Sequence, residues 1–113
     1  MQKIEAIIRP EKLDDVKNSL AGAGFSGLNI VNVTGRGVQK GIVHMGRGGE
    51  TYVVDMLHKV KIEVVVRDSD SEKVIKLICD AARTGNIGDG KIFIMAVAEA
   101  IRVRTGERGE AAV

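Results

Sequence analysis

The sequence has no tryptophan, one tyrosine and two phenylalanines. With aromatics at 3% of 113 residues, there is no stacking platform for single-stranded nucleic acid. A net charge of +2 supplies no basic field for a phosphate backbone either, so nucleic acid is excluded as a partner. A single cysteine, Cys79, rules out an internal disulfide. It stands in a helical pattern between Ile78 and Asp80, where a reduced packing residue is expected. No apolar run approaches the roughly 20 residues of a membrane span, so direct membrane insertion is not expected. The chain enters a strand pattern from its start, without signal-peptide architecture, which points to a cytoplasmic protein. What is plentiful is glycine, with 14 residues. Hydrophobic content of 44% and charged content of 28% are those of a folded domain, here one domain over residues 1–113.

Two β-α-β patterns flank a glycine-rich middle. From Gln2 to Arg9, Ile4, Ala6 and Ile8 alternate with Lys3, Glu5, Ile7 and Arg9, a half-buried strand. Pro10 opens a helix where a missing N–H costs nothing. Leu13, Val16, Leu20 and Ala23 follow at helical spacing, with Gly24 as a stop. Leu28–Thr34 is a β-branched second strand. Gly35 to Asp55 breaks every period and reads as a long loop. Val60, Ile62, Val64 and Val66 alternate next, and Ser69-x-x-Glu72 resembles a capping box ahead of a helix carrying Val74, Ile75, Ile78, Ala81 and Ala82. Ile92 to Val103 reads as a last strand, bent around Ala96–Ala100. The order predicts an α+β, ferredoxin-like βαββαβ fold with an antiparallel sheet and both helices on one face. The other sheet face would carry Ile7 and Val65 among charges, so a homo-oligomer is expected.

Three segments carry candidate chemistry. Thr84–Gly85–Asn86–Ile87–Gly88–Asp89–Gly90–Lys91 combines glycines, whose backbone N–H groups can approach a ligand closely, with a compact cation. The combination suits a polyphosphate, and Gly85 and Gly90–Lys91 even satisfy the P-loop count. A P-loop is nonetheless excluded: residue 92 is Ile, with no hydroxyl for magnesium, and here a helix precedes and a strand follows. The bland alternative is a glycine-rich helix cap and turn. Gly35–Arg36–Gly37–Val38–Gln39–Lys40–Gly41 offers flexible backbone donors, two cations and an amide, or simply the mouth of a solvated loop. Arg102 and Arg104, two apart at the end of the expected last strand, would share one face and present two guanidinium forks to phosphate. A charged strand edge is the alternative.

In this order the three segments, with the opening Lys3–Ile4–Glu5–Ala6–Ile7–Ile8–Arg9–Pro10 and the block Lys59–Val60–Lys61–Ile62–Glu63, resemble the PII nitrogen-regulatory signal-transduction family over nearly the whole chain. The resemblance implies a homotrimer with ATP/ADP sites in the clefts between subunits, and a target-binding T-loop at about residues 37–55. One wall of the nucleotide site would hold Ile7, Gly35, Arg36, Gly37, Val38, Gln39, Val65, Gly88, Asp89, Gly90 and Lys91. Ser26, Leu28, Asn29, Arg102 and Arg104 would come from the neighbouring subunit. Mg would join the ATP phosphates to 2-oxoglutarate, with Gln39 as its protein ligand. Arg9, Gly37, Gln39, Lys40, Gly41 and Lys59 would hold the dicarboxylate. The implied activity is regulation without catalysis. Targets would be an ammonium transporter, which would draw the protein to a membrane, or nitrogen-assimilation enzymes and their regulators.

Several positions depart from the family pattern. Val38 stands where many relatives carry a basic residue, Asn29 replaces a hydroxyl residue, and His58 replaces proline. Arg47 remains at the loop tip as the candidate partner contact. Tyr52, the only tyrosine, is the candidate modification site, displaced by one residue from the common pattern. Three rival readings remain: a nitrogenase-regulating relative with the same ligands, a slow ATPase in which Asp89 orients water, and a structural oligomer that uses the open sheet face only for assembly.

Overall fold

The computed structural model describes residues 1–36 and 56–113 in full and residues 42–45 and 51–54 as backbone. Strands β1 (Gln2–Ile8), β2 (Asn29–Gly35), β5 (Leu57–Val66) and β6 (Gly90–Ala96) form an antiparallel sheet in the order β2-β5-β1-β6. Helix α1 (Leu13–Gly22) links β1 to β2 and helix α2 (Ser71–Ala82) links β5 to β6, which is the expected ferredoxin-like α+β arrangement.

The period-two alternation sets the register. Ile4, Ala6 and Ile8 of β1 and Val60, Ile62, Val64 and Val66 of β5 are all buried. They form one core with Val16 and Leu20 of α1 and Val74, Ile78 and Ala82 of α2, so both helices cover the same sheet face. The odd-numbered residues occupy the opposite face. There Lys3 pairs with Glu5 at 3.0 Å and with Glu63 at 3.4 Å, and Lys61 pairs with Glu63 at 3.1 Å. Beside these charges Ile7 and Val65 are half-buried, while Val31, Phe93 and Met95 are 41%, 48% and 39% exposed. The uncovered face is thus apolar at its edges and charged at its centre, as the alternation predicts.

Four local expectations need correction. Pro10 opens a 3-10 turn, Pro10–Lys12, and the α-helix proper starts at Leu13. Ser69 and Glu72 do not form a capping box: Ser69 lies inside a 3-10 turn, Asp68–Asp70, and α2 starts at Ser71 with no side-chain cap. The buried Ser71 hydroxyl instead donates to Gln2 Oε1, tying α2 to β1. The glycine-rich middle is not strandless, since β3 (Ile42–Met45) pairs antiparallel with β4 (Thr51–Val54), placing His44 opposite Tyr52. Finally, the last strand stops at Ala96. Beyond it Ile101 bridges Arg108, and the Gly106 N–H closes on the Arg102 carbonyl at 2.7 Å. Arg102 and Arg104 therefore sit in a turn rather than on one face of a strand.

Candidate functional site

The site is built where three chain segments converge at one end of the sheet. At the end of β1, Ile7 lies opposite both Lys61 of β5 and Lys91 of β6. At the end of β2, Gly35 lies opposite Leu57. Between α2 and β6 runs the turn 83–89. These elements enclose a cleft of about 550 Å³. Ile7, Gly35, Arg36, Lys59, Gly88, Asp89, Gly90 and Lys91, all expected from the sequence, line it together. Val33, Thr34, Leu57, Asn86, Ile87 and Phe93 complete the lining. The helix-turn-strand order that excludes a P-loop is the observed one.

One carboxylate organises the turn. Asp89 Oδ2 accepts from the backbone N–H of Thr84 at 2.8 Å and of Gly85 at 2.9 Å. Asp89 Oδ1 accepts from the Thr84 hydroxyl and, at 3.1 Å, from Arg9 Nε. The Thr84 hydroxyl, the backbone donors and Arg9 together hold the Asp89 carboxyl far below the usual carboxylate range. With a depressed folded pKa, the stabilisation this carboxylate brings is complete above its unfolded pKa. It is lost only as pH falls through the folded value, which lies below the usual carboxylate range. A carboxylate held in this way is a poor base for activating water, which weighs against hydrolysis.

Two cations brace the turn from β1 and β5. Arg9 Nη2 donates to the Ile87 carbonyl at 2.8 Å, and Lys59 Nζ donates to the Gly88 carbonyl. Burial, and next the positive charge of Arg9, push the Lys59 ammonium below its ordinary 10.5. Arg9 and Lys59, two of the six residues expected to hold a dicarboxylate, are thus already engaged with the turn that carries the phosphate-type donors. Lys91, by contrast, makes no ion pair or side-chain hydrogen bond among the described residues, and its side chain lines the cleft exposed.

The remaining expected site residues lie elsewhere. Val65 is opposite Lys3, at the far end of β1 from Ile7. Ser26, Leu28 and Asn29 precede or open β2, and none of them lines the cleft. Arg102 is held by Glu107 Oε1 at 3.1 Å and by the Ala111 carbonyl at 3.0 Å. Arg104 is exposed, with no partner among the described residues. At the loop root, Thr34 Oγ1 and His58 Nδ1 are 3.2 Å apart across β2 and β5. Gly37, Val38, Gln39, Lys40, Gly41 and Arg47, and the side chain of Tyr52, lie outside the described residues. Cys79 is half-buried against a smaller hollow of about 360 Å³ between α2 and β6, among Ile75, Ile78 and Ile94, in keeping with a packing residue.

The residues missed in the sequence are Arg9, in its contact with Asp89, and Thr84. The Thr-Gly…Asp spacing was the available signal, since a hydroxyl and a carboxylate flanking a glycine-rich turn commonly cap its N–H groups.

Comparison with known proteins shows the family to which the chain is similar. The family model described as "Nitrogen regulatory protein P-II" matches residues 1–107. A nitrogen regulatory protein P-II of Cereibacter sphaeroides is 57% identical over 113 residues, covering 100% of both chains. That of Rhodospirillum rubrum is 55% identical, again over 100% of both. The nitrogen regulatory protein P-II 2 of Methanothermobacter thermautotrophicus is 53% identical over 100% of this chain and 97% of its own.

Proposed function

The chain belongs to the nitrogen regulatory protein P-II family, and from that premise we propose that it is a non-catalytic sensor that reads ATP, ADP and 2-oxoglutarate and acts on target proteins. One observation carries the reading: Gly88–Lys91, Ile7, Gly35, Arg36 and Lys59, distant in sequence, share one cleft beside the root of the 37–55 segment. Backbone donors and a free lysine suit phosphate oxygens. Gln39 offers an amide oxygen to Mg, a hard cation that prefers oxygen ligands. Lys59 offers a cation to a carboxylate. Because Gln39 stands at the loop root, a ligand held there selects among arrangements of residues 37–55 and hence among targets. Arg47 is the proposed contact, with an ammonium transporter or a nitrogen-assimilation enzyme or regulator. No helix among the described residues is long and apolar enough to cross a membrane.

The cleft is one wall of this site. The other wall is proposed to come from a neighbouring copy, through Ser26, Leu28, Asn29, Arg102 and Arg104 in a homotrimer. Arg104 is the freer of the two arginines, since Arg102 is already committed to Glu107. Light scattering at micromolar concentration is expected to give about three times the 12.1 kDa chain mass. A stable monomer would remove the shared site.

The deciding experiment is calorimetry of 2-oxoglutarate with Mg-ATP, with ADP, and without nucleotide, alongside hydrogen exchange across residues 37–55. Binding and loop protection are expected with Mg-ATP alone, because the metal bridge requires the nucleotide. Equal binding in all three conditions would sink the coupled mechanism. The charged form of Lys59 is disfavoured, so affinity should decline with rising pH below the 10.5 of an ordinary lysine. An unchanged affinity through that range would remove Lys59 from the site.

A further inference from the structure

We infer that Glu107 is a positioning residue for Arg102: its carboxylate holds the guanidinium by Nη1, off the edge that a phosphate would use. The inference rests on the nucleotide-sensor reading above, in which Arg102 reaches into a site shared with a neighbouring copy. The hold begins in the backbone. Residues 99–109 fold back on themselves, with Ile101 bridging Arg108. The Arg102 N–H donates to the Glu107 carbonyl at 2.9 Å, and the Gly106 N–H donates to the Arg102 carbonyl at 2.7 Å. Within that turn the Glu107 N–H donates to the Thr105 hydroxyl at 3.2 Å. The Gly109 N–H closes the other end, shared between the Ala100 carbonyl at 2.9 Å and Glu99 Oε1 at 3.0 Å. Main-chain bonds thus set Arg102 and Glu107 side by side before their side chains meet. Glu107 Oε1 then lies 3.1 Å from Arg102 Nη1.

Which nitrogen carries the carboxylate decides its role. Nε and Nη2 form the edge of a guanidinium whose parallel N–H groups match two oxygens of a phosphate. Glu107 occupies Nη1, outside that edge. Nε has no partner among the described residues. Nη2 rests on the Ala111 carbonyl at 3.0 Å, a neutral acceptor that a charged phosphate oxygen replaces with a stronger bond. A phosphate can therefore take the Nε–Nη2 edge while Glu107 keeps the guanidinium plane from turning. The side-chain freedom that an arginine gives up on binding is here given up on folding, which lowers the cost of capture. The two side chains are 40% and 45% exposed, so the pair adds little to fold stability. Its consequence is orientation. Arg104 is the contrast: it is exposed and has no partner among the described residues, so a ligand must order it.

The test is a double-mutant cycle on Arg102→Ala and Glu107→Ala, with Glu107→Gln as the conservative control, each variant checked for chain association and thermal stability. Arg102→Ala should weaken ATP binding at least about tenfold. Glu107→Ala should weaken it about fivefold with the melt unchanged, and should add little when combined with Arg102→Ala, since both act on one contact. Glu107→Gln keeps an acceptor oxygen for Nη1 and should stay within about twofold of the parent. The second readout is NMR of the arginine side chains without nucleotide. Arg102 should show separate Nη signals, from a guanidinium that does not rotate freely, and Arg104 an averaged one. Glu107→Ala should average those of Arg102. Tighter ATP binding in Glu107→Ala would reveal a carboxylate that competes with phosphate. Unchanged binding would reveal an idle surface pair, and additive losses an independent role. Each of these results would overturn the inference. A parent protein that binds no nucleotide would overturn the sensor reading, whereas averaged Arg102 signals in the parent would refute the hold on Arg102 whatever the protein binds.

Discussion

Gly90→Ala is expected to abolish nucleotide binding and to destabilise the chain by about 3 kcal/mol or more, from two terms. The first is backbone conformation: Gly90 has φ +106, a region that costs a residue with a Cβ roughly 1–3 kcal/mol. The second is space. A Cβ at Gly90 would fall 1.7 Å from the Ile7 carbonyl oxygen and 2.8 Å from its carbon. Those atoms are backbone of a central strand that pairs with β5 on its other edge, so they cannot yield without breaking the ladder. The start of β6 would move away from β1, taking Lys91 from its place opposite Ile7. Gly85 supplies the control. It also has a positive φ, +90, but nothing lies within 4 Å of its hypothetical Cβ, so Gly85→Ala carries the conformational term alone. Urea unfolding at one fixed protomer concentration compares the two, since association shifts apparent stability. Equal costs at the two positions would show that the close approach of β6 to β1 contributes nothing.

The same contrast shows what a sequence displays and what it hides. β1 and β5 are legible because one sheet face is buried and the other is not, so Ile4, Ala6 and Ile8, or Val60 to Val66, must alternate with their neighbours. The helices are legible for the same reason at another period. Misreadings arise where burial does not enforce a pattern. Ile101 and Val103 alternate like a continuing strand, yet Val103 is 100% exposed and the chain there closes a turn on Arg102 instead. Ile42–Met45 and Thr51–Val54 are short, and the intervening glycines mask the β-branched and aromatic residues that mark them as paired strands. The individual members of the site were visible, because glycines and cations in a fixed order are chemically conspicuous. Their assembly was not: Arg9 meets Asp89 across 80 positions, and no local rule encodes such a contact.

Lys91→Ala is expected to weaken ATP binding at least about tenfold, with the fold retained. A charge-assisted hydrogen bond to phosphate contributes roughly 1.5–3 kcal/mol, and about 1.4 kcal/mol is a factor of ten. Lys91 is the residue where that full effect should appear. Arg9 is spent on Asp89 and Ile87, Lys59 on Gly88, and Arg102 on Glu107 and Ala111, so each would surrender a partner to gain a phosphate. Lys91 has no side-chain partner to give up among the described residues. It is already held beside Gly90 and opposite Ile7 by the β1–β6 ladder, so its backbone costs nothing further to order. Its side chain is exposed on the open sheet face, and truncation should therefore leave the core of Ile4, Ile62 and Ile78 unaffected. Calorimetry with ATP and ADP, paired with a thermal melt, separates the outcomes. Lost affinity with an unchanged melt identifies a phosphate ligand. Unchanged affinity would reduce the glycine-lysine segment to a helix cap and turn, and with it the nucleotide reading of the cleft.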